Sequence, residues 1–232
     1  VGRVTDPGAG TVKRVKRPGA LVLTLALLLS CALVASCGLT QRASRNVQGD
    51  DSFEGDVRAA RSLTESFWEQ QFAASGRTYQ PISRFVAYSG SNGPSCGGEP
   101  AVPQNAFYCP DGHFIAYDRD WMESLWNEMG DGSVYLIIPH EFGHAVQAQL
   151  QTGFRLNVQA ELQADCYAGG TLSALVRSGA LRAEPGDEDE LLLNLEAAGD
   201  PTDDWLDPAA HGTAEQRQQS FATGYNEGVT AC

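Results

Sequence analysis

The stretch IIPHEFGHAVQ, residues 137–147, sets two histidines four apart, with a glutamate directly after the first. On a helix, positions i and i+4 share a face. His140 and His144 can therefore aim their imidazoles at one metal ion. Glu141, one residue around the turn, can reach a water activated by that ion and take its proton. The neighbours Phe142, Gly143, Ala145 and Val146 are uncharged, as a buried catalytic helix requires. The competing reading is a buried helix that carries two histidines for packing alone.

Pro139 bears on the geometry. A proline inside a helix removes one i→i−4 bond and crowds the carbonyl four residues back, here that of Tyr135. A helix starting near residue 138 would hold it in the first turn, where it costs little. A helix starting at Ser133, a candidate cap, would place it in the interior and predict a kink. Under both readings His140, Glu141 and His144 follow the proline, so their mutual spacing is kept.

A catalytic zinc takes three protein ligands and keeps one position open. The segment AELQADCYAG, residues 160–169, offers Glu161 and Asp165, again four apart. Both stand among Ala, Leu and Cys, where unpaired carboxylates are costly to bury. Glu161 is the expected third ligand. Asp165 is the expected acceptor for the free ring N–H of a ligand histidine, His140 first of all. A solvated acidic helix face would also explain the pair, but the two histidines just upstream favour the metal. The short connection TGFRLN lets the two helices face each other.

Working outward, the N-terminus reads as a targeting segment. KRVKR (13–17) is a basic cluster, and ALVLTLALLLSCALVA (20–35) is an unbroken apolar run. The pattern is that of a secretory signal. VASCG (34–38) resembles a bacterial lipobox, with Cys37 as the lipid-modified residue and Cys31 the weaker candidate. Residues 1–37 are thus expected to be a lipoprotein signal peptide and 38–54 a flexible polar tether. Residues 55–232 form one domain, long enough to bury a core. An uncleaved signal anchor is the alternative. Beyond Cys37 the chain carries 11 arginines, no lysine and 28 carboxylates, a net charge of −17. Such a surface repels nucleic acid and anionic headgroups.

Within the domain, 53–74 has apolar residues at helical spacing, 82–90 and 113–118 read as strands, and 91–112 reads as loop. Helices are expected over 119–132, 133–151, 158–179, 187–199 and 211–228. Gly169-Gly170 is a candidate bend, and Thr213 with Gln216 a capping box. The fold class is α+β, mainly helical, with a small β-sheet beside the motif helix. Four cysteines remain, Cys96, Cys109, Cys166 and Cys232, an even number that fits two disulfides in an exported domain. Cys96–Cys109 is the local pairing and leaves Cys166–Cys232, although three pairings are formally open.

HEFGH, ELQADCYAG and the later HGTAEQR, in that order, resemble the bacterial neutral zinc metallopeptidases, zincins whose third ligand is a glutamate. The likeness runs from about residue 55 to the C-terminus. It implies one zinc ion at His140, His144 and Glu161, Glu141 as general base, and a peptide or protein substrate. It also implies a cleft-edge strand able to pair with an extended peptide, here HFIAYD.

His211, two residues ahead of a capped helix, is a second catalytic candidate as an oxyanion donor or substrate-positioning group. A backbone-bonded junction histidine is its alternative, and Tyr167 or Tyr225 are alternative donors. His113 reads as structural. The expectation is therefore an outward-facing, lipid-anchored zinc metallopeptidase of the bacterial cell envelope. Its rivals are a non-catalytic metal-binding envelope lipoprotein and a zinc hydrolase of non-peptide amides.

Overall fold

The computed structural model describes residues 52–232. The expected signal peptide 1–37, with Cys31 and Cys37, lies outside the described residues, as does most of the expected tether. Among the described residues no helix is long and apolar enough to cross a membrane.

Helix α1 (Phe53–Ala74) opens on Ser52, whose hydroxyl accepts from the Gly55 N–H at 3.1 Å. This is the preferred capping chemistry at a helix start. Phe53, Val57, Ala60, Leu63, Phe67 and Phe72 form its buried stripe, so the folded unit includes Phe53 and Glu54. Three strands follow: β1 (Arg84–Tyr88), β2 (Ala106–Cys109) and β3 (Phe114–Asp118). The sheet order is β1-β3-β2. β3 lies parallel to β1, with Arg84 opposite Phe114, and antiparallel to β2, with Ala106 opposite Tyr117.

That order corrects one expectation. HFIAYD is not an edge strand: β3 is the centre of the sheet, every residue of it is buried, and both its edges are paired. The outer strands are β1 and β2, and β2 lies inside the stretch that reads as loop. Its four residues, between Pro103 and Pro110, are too few to display a period of two, and only pairing with β3 makes them a strand. The Cys96–Cys109 disulfide ties the preceding loop to the end of β2.

Five helices complete the mainly helical α+β fold: α2 (Arg119–Met129), α3 (Gly132–Leu150), α4 (Asn157–Ser178), α5 (Asp187–Ala197) and α6 (Ala214–Glu227). α3 is central, with α1, α2, α4, α5 and β2 all packed on it. It begins at Gly132, so Pro139 sits in its interior and the Tyr135 carbonyl receives no N–H from that position. Burial on several sides keeps the helix continuous through the proline. Ser133 is not the cap; its hydroxyl turns back to the Gly130 carbonyl at 2.9 Å. The Gly132 N–H at the helix start is met instead by the Glu190 carboxylate of α5, at 3.1 Å.

α4 runs unbroken through Gly169 and Gly170. These glycines serve close packing rather than a bend. A Cβ on Gly169 would overlap the Phe221 carbonyl of α6, and one on Gly224 would overlap the Cys166 carbonyl of α4. The Cys166–Cys232 disulfide joins α4 to the residues after α6. At the start of α6, Thr213 and Gln216 form the expected capping box, with bonds of 3.4 and 2.9 Å.

Candidate metal centre

Two helices build the site. α3 carries His140, Glu141 and His144; α4 carries Glu161 and Asp165. They approach closely because residue 143 is glycine: a Cβ there would stand 3.0 Å from the Ala164 Cα. Ala164 lies between Glu161 and Asp165, so this contact sets the height of both carboxylates against the histidines.

The ligating atoms converge. His140 Nε2 lies 3.1 Å from His144 Nε2 and 3.3 Å from Glu161 Oε2, and His144 Nε2 lies 3.5 Å from Glu161 Oε1. Ligands about 2.0–2.2 Å from a tetrahedral zinc ion stand roughly 3.3–3.6 Å from one another. The outer ring atoms are already engaged. His140 Nδ1 is 2.8 Å from Asp165 Oδ1, and His144 Nδ1 is 3.0 Å from Gln147 Oε1. Both acceptors require a proton on Nδ1, which leaves both Nε2 lone pairs pointing at each other and at a carboxylate. Electron-rich atoms so placed repel unless a cation stands among them. Two imidazoles and one carboxylate are a donor set suited to zinc, and the residues present fit it.

Without a metal, a proton on the His140 ring plays the cation's part. Burial opposes a charged His140 ring, but Asp165 and Glu161 outweigh it and hold its pKa above the usual histidine value. Burial would raise the Glu161 carboxyl, yet the two imidazoles hold it well below the ordinary carboxylate range. Glu141, buried at 6% exposure, is pushed up, by burial first and with the neighbouring histidines opposing.

Two supporting residues lie outside the expected set. Gln147 orients His144 and donates to the Ala160 carbonyl at 2.7 Å. Arg217 of α6 grips Asp165 with two bonds, Nε to Oδ2 and a terminal nitrogen to Oδ1, both 2.8 Å. Its other terminal nitrogen donates to the Ala198 carbonyl at 2.9 Å. Gln147 stands three residues from His144 on one helix face and was open to inference from spacing. Arg217 is the last letter of HGTAEQR, but nothing in that spelling points it at Asp165, 52 residues earlier.

The remaining candidates scatter. His211 borders the same cleft as the ligands, half-exposed, with Nδ1 3.7 Å from Asp200 Oδ1 and its backbone N–H on Asp200 Oδ2 at 2.6 Å. Tyr167 is buried against Trp68 on the far side of α4, and Tyr225 stacks on Phe221; neither borders the cleft. His113 is held between the Tyr108 hydroxyl and the Gln80 carbonyl, both at 2.9 Å. The cleft measures about 730 Å³, with the histidines, Glu141 and Glu161 in its wall.

Paired imidazoles, a carboxylate and an adjacent buried glutamate, all opening on a cleft, make a donor set of the zinc-binding kind. The chain belongs to the family described as "Putative neutral zinc metallopeptidase", whose model matches residues 35–232. It is similar to the Escherichia coli K12 protein "Uncharacterized protein YpfJ", 33% identical over 198 residues, 73% of this chain and 67% of that protein. It is also similar to the Mycobacterium tuberculosis H37Rv protein "Uncharacterized protein Rv2575", 30% identical over 171 residues, 61% of this chain and 58% of that one. The chain therefore spans about two thirds of the first relative's length and less of the second's. No solved structure matches it significantly.

Proposed function

We propose that this protein is an exported, lipid-anchored zinc metallopeptidase that hydrolyses peptide bonds, with His140, His144 and Glu161 as the metal ligands. The single observation that carries the proposal is the convergence of those three side chains beside a buried Glu141, at the wall of an open cleft. Zinc held there supplies a Lewis acid that polarises a carbonyl and makes water acidic near neutral pH.

Glu141 accepts the proton of the attacking water and returns it to the leaving amine; burial raises its basicity toward the range that this work needs. Asp165 and Gln147 fix the two imidazoles, and Arg217 keeps Asp165 ionised. β2 is an outer strand of the sheet, and Ala106 to Tyr108 border the cleft, where an extended peptide would run alongside it. A strand edge beside an open cleft favours a peptide over a small amide. His211, which lines the cleft, is the candidate donor to a substrate oxygen. A purely structural metal site has no use for a base at Glu141, which argues against a binding lipoprotein. Export and anchoring rest on KRVKR, the apolar run and the lipobox cysteine Cys37.

The test is cleavage of a mixed peptide library, followed by mass spectrometry, by parent and Glu141→Gln protein of equal zinc content. A loss of about 10²–10⁴-fold is expected from removing the base. Equal rates, or no cleavage by a zinc-loaded parent, would overturn the reading. For the anchor, Cys37→Ser should release the protein from the membrane fraction.

A further inference from the structure

The cleft wall is uneven. α2 presents Trp121, Leu125 and Met129 to it, spaced four apart and hence on one helix face. α3 adds Ile137, one helical turn before Glu141, so its side chain neighbours the base on the same face. None of the four is fully buried. They give the cleft an apolar wall that starts one turn from the reacting groups, with no charged side chain from α2 in it. The acidic residues of that helix, Asp120, Glu123 and Glu128, are not among those bordering the cleft.

Ionisable groups are few in the wall. Among the described residues, the ionisable side chains of the cleft wall other than tyrosine are His140, Glu141, His144, Glu161, His211 and Arg217. The single arginine is spent on Asp165 and the Ala198 carbonyl, leaving no free arginine or lysine in the wall for a peptide's terminal carboxylate. The two glutamates belong to the metal centre, leaving no spare carboxylate for a terminal amine.

We infer that the cleft takes the interior of an extended peptide and seats a large apolar side chain, of the Leu, Phe or Met class, against Trp121, Leu125, Met129 and Ile137, beside the bond to be cut. The substrate class is thus internal apolar sites, and neither chain terminus is recognised. This rests on the peptidase reading for the cut, though not for the seat.

The seat is tested on the full-length zinc-loaded Glu141→Gln protein in detergent, by calorimetric titration with hexapeptides acetylated at one end and amidated at the other. Their central residue is Leu, Phe, Asp or Lys. Central Leu and Phe should bind roughly 10- to 200-fold tighter than Asp and Lys, the range by which an apolar pocket discriminates. Leu125→Lys and, separately, Met129→Lys should each erase most of that preference while keeping the parent's zinc content, the sign that the fold persists. Equal affinity for all four peptides, absence of binding, a preference that survives both lysines, or a need for uncapped termini would overturn the inference. Apolar preference in binding, with no cleavage by the Glu141-bearing protein, would uphold the seat and sink the peptidase reading instead.

Discussion

Among the described residues, two groups of three acidic or imidazole side chains lie with their ligating atoms within 4.8 Å of one another: His140, His144 and Glu161, and Asp131, Asp187 and Glu190. The first is fixed from outside. Each imidazole has its far nitrogen on an acceptor, Asp165 is itself held by Arg217, and the inner atoms have only each other to face. The second is accounted for without a ligand. Glu190 meets the Gly132 N–H at the start of α3, and Asp187 Oδ2 accepts the Glu184 N–H at 2.7 Å. Carboxylates are favoured at helix N-termini, and the residual repulsion is relieved by a proton. Burial, then the charges of Asp56, Glu190 and Asp187, push Asp131 up to about 7. Closeness of carboxylates alone does not make a metal site; two imidazoles and a carboxylate held rigid from behind do.

The largest effect that would break this contrast concerns metal retention. His140→Ala or Glu161→Ala should lose the zinc that survives dialysis in the parent, whereas Asp187→Ala should keep it, as measured by plasma mass spectrometry. Zinc retained by the first two and lost by the third would reverse the assignment.

Next comes the arginine behind the first cluster. Arg217→Met leaves the fully buried Asp165 carboxylate without its cation. Breaking a buried pair from one side costs about 3–5 kcal/mol, so the urea midpoint should fall far. A change below about 1 kcal/mol would mean that water reaches the pair.

Gln147→Ala frees only one ring nitrogen. Losing such an outer partner weakens metal binding roughly 10- to 100-fold, which chelator competition would read. Unchanged affinity would show that α3 alone orients His144.

The smallest effect belongs to the second cluster. The folded-state pKa of Asp131 lies above its ordinary value, so the fold holds this proton more tightly than the unfolded chain does. The stability it contributes is full below about pH 4 and is lost as pH rises through about 7. Asp131→Asn should flatten that decline in melting temperature between pH 4 and 8, by about 1 kcal/mol or less because solvent screens the group. A steeper decline in the variant would contradict the proton-sharing account.

Much of the site was legible because it is local. A four-residue spacing fixes which side chains share a helix face, so His140 with His144 and Glu161 with Asp165 could be paired on paper. The capping box at Thr213 and Gln216 was equally readable. The path of α3 through Pro139 was not, since a single proline permits either a late start or an interior position. Packing from several neighbours, and Glu190 at its first N–H, chose the interior one. The strand β2 was hidden for a related reason: AFYC has no pattern of its own.

What the sequence determined by itself was therefore the chemistry within each helix: which residues carry nitrogen and oxygen donors, and on which face. What only the tertiary structure decided was everything set by one element crossing another. Gly143 against Ala164, Arg217 on Asp165, β2 as the outer strand beside the cleft and the apolar face of α2 brought to the same cleft as Glu141 each join residues whose separation along the chain imposes no geometry. Backbone hydrogen bonding imposes a short-range order that spacing reveals, while the meeting of distant faces follows from burial and close packing of the whole domain.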